Sequence, residues 1–229
     1  MGIKRYLIIV TAIAVYGCSS VSQLVGPAQP IKFDDTKIIT KDIYTQNKTT
    51  NGVVLMDINW GRLWGCGDHE NAQLIGLAFD KLPMLNISND AEPSFVVKSP
   101  ARLMVDPVFI NYAFLLEPGE YAISAFSIKV ADSMSKVGFL TAQRDHLYKG
   151  GKPIGGSFTV NPGETVFIGN FYLDCAYGPM LWRYYPDGRE AFKQQVDEYR
   201  TKFPFLNLSD VKFRLFETKE FGYDYELPR

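Results

Sequence analysis

Two stretches of this chain follow one plan. Phe109–Leu116 is apolar, Glu117-Pro118-Gly119-Glu120 follows, and Tyr121–Val130 then alternates, with Tyr121, Ile123 and Ala125 on one side and Ala122, Ser124 and Phe126 on the other. Ser157–Val160, Asn161-Pro162-Gly163-Glu164 and Thr165–Leu173 repeat it. Alternation with period two marks a strand that buries one face. Proline lacks the amide donor and glycine reaches backbone conformations closed to other residues, so a Pro-Gly pair punctuates the chain. The repetition reads as two similar turns in one sandwich rather than a duplicated domain, because little else matches.

The rest of the chain fits this β plan, with one exception. Val53–Asn59, Gln73–Phe79, Val137–Tyr148 and a final Val211–Phe216 are strand candidates. Between the first two, Trp60–Glu70 reads as a structured loop rich in Gly and Trp. Leu82–Pro107 carries Pro83, Pro93, Pro100 and Pro107 and reads as a long connection with short edge strands, since proline cannot donate to a ladder. Asp34–Gly52 is polar and closes on an Asn-Gly turn signal. Lys149–Gly156 is a glycine-rich, hairpin-like link. The exception is Arg189–Phe203, where Phe192, Val196, Tyr199 and Phe203 recur at helical spacing and Pro204 ends the segment. Aromatic residues make up 14% of the chain, with 13 Tyr and 16 Phe, and such side chains suit a pleated surface. The expected fold is mainly β: an antiparallel β-sandwich with one amphipathic helix near the C-terminus.

At the N-terminus, Lys4 and Arg5 precede an apolar run from Tyr6 to Val15, broken only by Thr11. A basic head, a short apolar core and a small residue at the cut make a secretory signal. The run is too short for a stop-transfer span, which takes about 20 residues. Val15-Tyr16-Gly17-Cys18 resembles the bacterial lipobox, whose usual form is Leu-(Ala/Ser)-(Gly/Ala)-Cys; Gly17 and Cys18 match, and Tyr16 is bulkier than the pattern. The resemblance implies a diacylglycerol on the Cys18 thiol, cleavage before it and acylation of the new amino group. Several acyl chains anchor stably where one alone is marginal. The alternatives are an ordinary cleaved signal with an incidental cysteine, or a buried N-terminal helix. Ser19 and Ser20 follow with no Asp, which resembles the outer-membrane class of enteric-type lipoproteins, facing the periplasm.

On that reading residues 1–17 are the signal, 18–30 a tether and 31–229 one sandwich domain. About 210 residues remain after cleavage, enough for a sizeable core. With Cys18 lipidated, two of the three cysteines are left, and an even count suits an oxidising compartment. A Cys66–Cys175 disulfide is expected; two free buried thiols are the alternative.

Leu116-Glu117-Pro118-Gly119-Glu120-Tyr121 and Asn161-Pro162-Gly163-Glu164-Thr165-Val166-Phe167-Ile168-Gly169, in a chain with a lipobox, resemble uncharacterised bacterial lipoproteins with a transthyretin-like or immunoglobulin-like sandwich. The resemblance covers part of Phe109–Leu173 and implies no catalytic residue.

The chemistry is bounded mostly by exclusion. The formal net charge is −1 and no basic stripe occurs, so nucleic acid is not an expected partner. No polybasic segment is present, so membrane attachment is assigned to Cys18. The two histidines, His69 and His146, lack zinc-ligand spacing, and neither a metal nor a cofactor beyond the covalent lipid is expected. No Gly-x-Ser-x-Gly elbow exists. The Gly150–Ser157 run fails as a phosphate loop, because Lys152 is misplaced and Pro153 removes an amide. The best binding candidate is the aromatic run holding Tyr177, Trp182, Arg183, Tyr184 and Tyr185, residue types that dominate binding energy at interfaces. Its competing reading seats the helix on the sheet. Two functions follow: a non-enzymatic lipid-anchored envelope protein that binds a protein or glycan, or an envelope hydrolase or metal-dependent enzyme built on Asp68-His69-Glu70.

Overall fold

The structure, a computed structural model, describes residues 26–27, 31–84, 88–100, 107–184, 186 and 188–214. The signal, Cys18 and Tyr185, together with the last residues of the expected final strand, lie outside the described residues. In chain order the elements are β1 (Gly26–Pro27), α1 (Lys41–Asn47), β2 (Gly52–Asn59), β3 (Leu63–Cys66), β4 (His69–Lys81), β5 (Phe95–Lys98), β6 (Phe109–Leu116), β7 (Gly119–Ala131), β8 (Val137–Ala142), α2 (Arg144–Leu147), β9 (Tyr148–Lys149), β10 (Lys152–Pro153), β11 (Ser157–Val160), β12 (Thr165–Asp174), β13 (Met180–Tyr184), α3 (Gly188–Lys202) and β14 (Val211–Phe213).

The fold is the expected mainly-β sandwich with a late helix. One sheet runs β1-β8-β7-β4-β3, with β11 beside β7 and β5 beside β4, and all its pairings are antiparallel. The other runs β13-β12-β2-β6, with β14 also beside β12. This second sheet is mixed: β12 is parallel to both β2 and β14. A short β9–β10 hairpin completes the strands. β4 and β7 pair from Asn71–Ala131 to Lys81–Tyr121 with two register shifts, which bend such long strands.

The inner faces close on aromatic rings. Phe79 of β4 stacks on Phe95 at 4.6 Å and meets Phe171 of β12 edge-on at 6.3 Å, so one side chain ties both sheets. Phe95 in turn lies 5.1 Å from Phe114 of β6. Such pairs add about 0.5–1.5 kcal/mol each beyond the area they bury. Trp60 is fully buried, and its indole N–H donates to the Tyr112 hydroxyl at 2.9 Å, so the one polar atom of the ring is satisfied. The α3 stripe does what its spacing predicts: Val196, Tyr199 and Phe203 are buried, and Phe192 and Tyr199 pack on Phe167 at 5.8 and 6.3 Å.

Several local expectations are revised. The Trp60–Glu70 loop is largely a hairpin, in which β3 pairs with the start of β4 and Gly67, at φ 60°, makes the turn. The Val137–Tyr148 strand stops at Ala142. Arg144 turns the chain into α2 so that its guanidinium reaches Asp80 through two bonds of 2.7 and 3.0 Å and also meets the Ser88 and Asn89 carbonyls. The polar Asp34–Gly52 stretch contains α1, capped by the Thr40 hydroxyl and tied down by Tyr44, whose hydroxyl accepts from Asn207 N–H at 3.1 Å. The tether is pinned before residue 30: Gly26 and Pro27 pair with Thr141 and Leu140 of β8. The two Pro-Gly-Glu turns differ in build. Asn161–Glu164 closes a β-turn with Gly163 at φ 67°, whereas Gly119 already belongs to β7 and pairs with Val160.

Cys66 and Cys175 form a disulfide, with Cα atoms 4.7 Å apart and a sequence separation of 109. It joins the β3–β4 turn of one sheet to the end of β12 in the other. Replacing both cysteines by alanine is expected to lower the unfolding free energy by about 2–4 kcal/mol, because the unfolded chain regains the entropy of that loop. Urea unfolding under non-reducing conditions measures it, and unchanged stability would contradict the account.

Candidate functional site

β13 decides which of the expected surface residues reach solvent. It is an edge strand, and its side chains alternate. Leu181 and Arg183 lie opposite Leu173 and Phe171 and are buried with them. Met180, Trp182 and Tyr184 fall on the other face. Arg183, at 3% exposure, is therefore not part of a binding surface, which corrects the expectation from sequence. The linear run mixed two faces because its strand parity was not recognised. Trp182 is half-buried opposite Tyr172. Tyr184 is 42% exposed and packs edge-on against Tyr172 at 5.6 Å and Phe109 at 5.7 Å. α3 is seated by Phe167 of β12, which packs on Phe192 and Tyr199. Tyr177, in the β12–β13 turn, is fully exposed.

The disulfide adds a residue that the sequence reading did not nominate. Trp64, on β3, is 60% exposed, and the Arg62 guanidinium lies 5.7 Å from its ring centre. Trp64 and Tyr177 each stand two residues from one half of the bridge. The turns touch: a Cβ on Gly67 would lie 2.9 Å from the Gly178 Cα. An isolated Trp beside a half-cystine was the available signal, hidden by a separation of more than 100 residues.

The Asp68-His69-Glu70 segment is the turn and first residues of the β3–β4 hairpin. His69 Nδ1 lies 2.6 Å from Asp132, at the far end of β7, and Asp132 also pairs with Lys136 at 2.6 Å. The Lys136 and His69 hydrogen bonds hold the Asp132 carboxyl below its usual range. Among the described residues no group of three or more His, Cys, Asp or Glu is placed to hold a metal ion. His146 pairs with its neighbour Asp145 in α2 rather than ending a strand.

Two buried carboxylates also escaped the sequence reading. Asp57 is the single charged residue in the otherwise apolar β2 core, and it faces α3. It accepts hydrogen bonds from the Tyr199 hydroxyl, the Gln195 amide and the Asn111 amide, the last at 3.1 Å. Burial pushes its carboxyl up to about 6, against the pull of the Tyr199 and Asn111 bonds; Glu198 pushes the same way and Lys202 opposes. Tyr199, wholly buried and beside Asp57, is held well above its usual value and so keeps the proton it donates. Glu164 closes the second Pro-Gly-Glu turn. Burial would raise it, but the Asn161 N–H together with Lys212 and Arg214 holds it low. It borders an open polar groove of about 650 Å³ that Lys48, Asn51, Asn207 and Asp210 also line.

Comparison with protein-family models, with curated proteins and with solved structures finds no match for this chain.

The Asp57 site sets a pH dependence. Its native carboxyl binds a proton more tightly than the ordinary value of 3.8, so its penalty is full above about pH 6 and is relieved as pH falls toward 4. A difference of about two units is roughly 3 kcal/mol. Stability is expected to rise on acidification from pH 8 to 5, and in Asp57→Asn that rise should be largely gone. Urea titrations across this range check it, and equal slopes in both proteins would refute it.

Proposed function

We propose that this protein is a lipid-anchored component of a bacterial envelope. Its sandwich acts by binding a partner rather than by catalysis, and Cys18 carries the lipid. The observation that supports this most is how the cysteines are used. Cys66 and Cys175 are consumed by one bridge, which fits an oxidising compartment and leaves Cys18 as the odd thiol. That thiol follows Gly17 at the end of a short apolar run with a basic head, the arrangement that resembles a lipobox. Ser19 and Ser20 favour the outer membrane, with the sandwich facing the periplasm. The binding surface is assigned to the stapled end, where Trp64 and Tyr177 are exposed and Tyr184 is partly so.

A hydrolase or metal-dependent enzyme built on Asp68-His69-Glu70 would hold His69 beside two carboxylates in a cleft. The carboxylate that His69 meets is Asp132, which a lysine also neutralises.

Cys18→Ser is expected to move the protein from the membrane fraction to the soluble periplasmic fraction, with the Cys66–Cys175 bridge intact on non-reducing peptide mapping. Retention of the variant in membranes would overturn the anchor assignment.

A further inference from the structure

The pairing of β4 with β7 carries a bulge that turns an extra side chain out of the sandwich. Ala78 of β4 stands opposite Ala125 of β7, and Phe79 opposite Ile123, so Ser124 is the extra residue of β7. Phe79 points inward, where it meets Phe171 of the other sheet, and Ile123 shares its face. Ser124 and Ala125 therefore both stand on the outer face, beside Ala78. Ser124 is nonetheless wholly buried, and its hydroxyl has no hydrogen-bond partner among the described residues. Its neighbours on that face, Ala78 and Ala125, offer only methyl groups. Buried polar groups are nearly always paired, so this hydroxyl is open to a partner from outside the chain.

Ser124 lines a cavity of about 240 Å³ between this outer face and two flanking segments, 31–34 and 89–93. The first segment is seated by Phe33, which lies against the sheet at Gly76; a Cβ there would overlap its ring. The buried side of the cavity is Ala78, Ser124 and Ala125. Asp34, Asp90 and Glu92 also line it and are exposed, so they stand at its mouth. None of the three has an ion-pair partner among the described residues. Two basic side chains line the cavity. Arg144 is committed to Asp80 and to the Ser88 and Asn89 carbonyls, while Lys32 is exposed. Three carboxylates against one uncommitted lysine leave the mouth negative, which selects a cation. The volume is that of about eight waters, too large for one bridging water to fill.

We propose that this cavity binds a small aliphatic ammonium compound that carries a hydroxyl or carbonyl oxygen. The ammonium is held at the mouth by Asp34, Asp90 and Glu92. The methylenes pass over Ala78, Ala125 and Val96, and the oxygen accepts a hydrogen bond from the Ser124 hydroxyl at the floor. The two ends select together. A neutral alcohol forgoes the carboxylates, and a simple alkylamine leaves Ser124 without a partner. The inference is independent of the anchored reading, because every group it uses lies within the folded sandwich and the segments packed on it.

The test titrates the purified full chain, in detergent, with a straight-chain aminopentanol whose amine and hydroxyl are at opposite ends, followed by calorimetry. Pentylamine and pentanol serve as the two truncated probes. Aminopentanol is expected to bind saturably, pentylamine about three- to tenfold more weakly and pentanol not measurably. Ser124→Ala is expected to weaken aminopentanol by that same factor and to leave pentylamine unchanged, which ties the loss to the hydroxyl. Because the native hydroxyl has no partner within the chain, this variant should melt no lower than the native protein. Asp90→Asn combined with Glu92→Gln, both at exposed positions, is expected to weaken both amines about fivefold. No saturable binding of aminopentanol below about 10 mM would overturn the proposal and leave Ser124 to water alone. Equal affinity for pentanol would overturn it too, as would unchanged aminopentanol affinity in either variant. If Ser124→Ala melts lower, the three probes on the native protein and on the double variant decide the matter without it.

Discussion

The parallel pairing of β12 with β2 is the constraint on which most of the structure hangs. Antiparallel neighbours can be joined by a tight turn; parallel ones need a crossover. Here everything from β3 to β11 lies in that crossover, so the antiparallel sheet, apart from β1, is built between two adjacent strands of the other sheet. The register, Thr165 opposite Val53 through Phe171 opposite Ile58, then sets three things at once. The start of β12 brings Glu164 to the polar groove. Its middle puts Phe167 under α3 and Asn170 beside Asp57. Its end delivers Cys175 to Cys66.

Three buried carboxylates show how differently a sandwich handles charge. Asp80 is met bidentately by the Arg144 guanidinium, a geometry that satisfies both oxygens. Glu164 has Lys212 and Arg214 and stays low. Asp57 is met chiefly by neutral donors, and burial therefore prevails. Its hydrogen bonds nevertheless fix where α3 sits along the sheet, which an apolar contact, being non-directional, does less sharply. The cost of the buried charge and the register of the helix come from the same contact.

The stapled edge follows a general need. An open edge strand offers unpaired backbone groups to any passing chain, and short strands limit that hazard. β3 has four residues and ends in the bridge. Exposed aromatic rings can stand there because the backbone beneath them is fixed and too short to serve as an aggregation template.

By itself the sequence determined the mainly-β class, the sites of the Pro-Gly turns, the one long amphipathic helix and the pairing of Cys66 with Cys175. Each is a local pattern or a count: period two, period 3.6, a residue without an amide donor, an even number of thiols. It also carried the Cys18 assignment, which lies outside the described residues. What only the tertiary structure decided was every feature that depends on which strand becomes a neighbour. Asp57 reads as one polar letter in an apolar strand until β6 and α3 close over it. Arg183 looks like a surface cation until the parity of β13 turns it inward beside Phe171 and Leu173. The Val137–Tyr148 run looks like strand throughout until Asp80 captures Arg144 and bends it into α2. The turns that carry Trp64 and Tyr177, more than 100 residues apart in the chain, touch because Cys66 and Cys175 are bridged. Periodicity reports which face of an element is apolar; it carries no information about what lies opposite, and partners for buried charges and members of a surface are defined by what lies opposite.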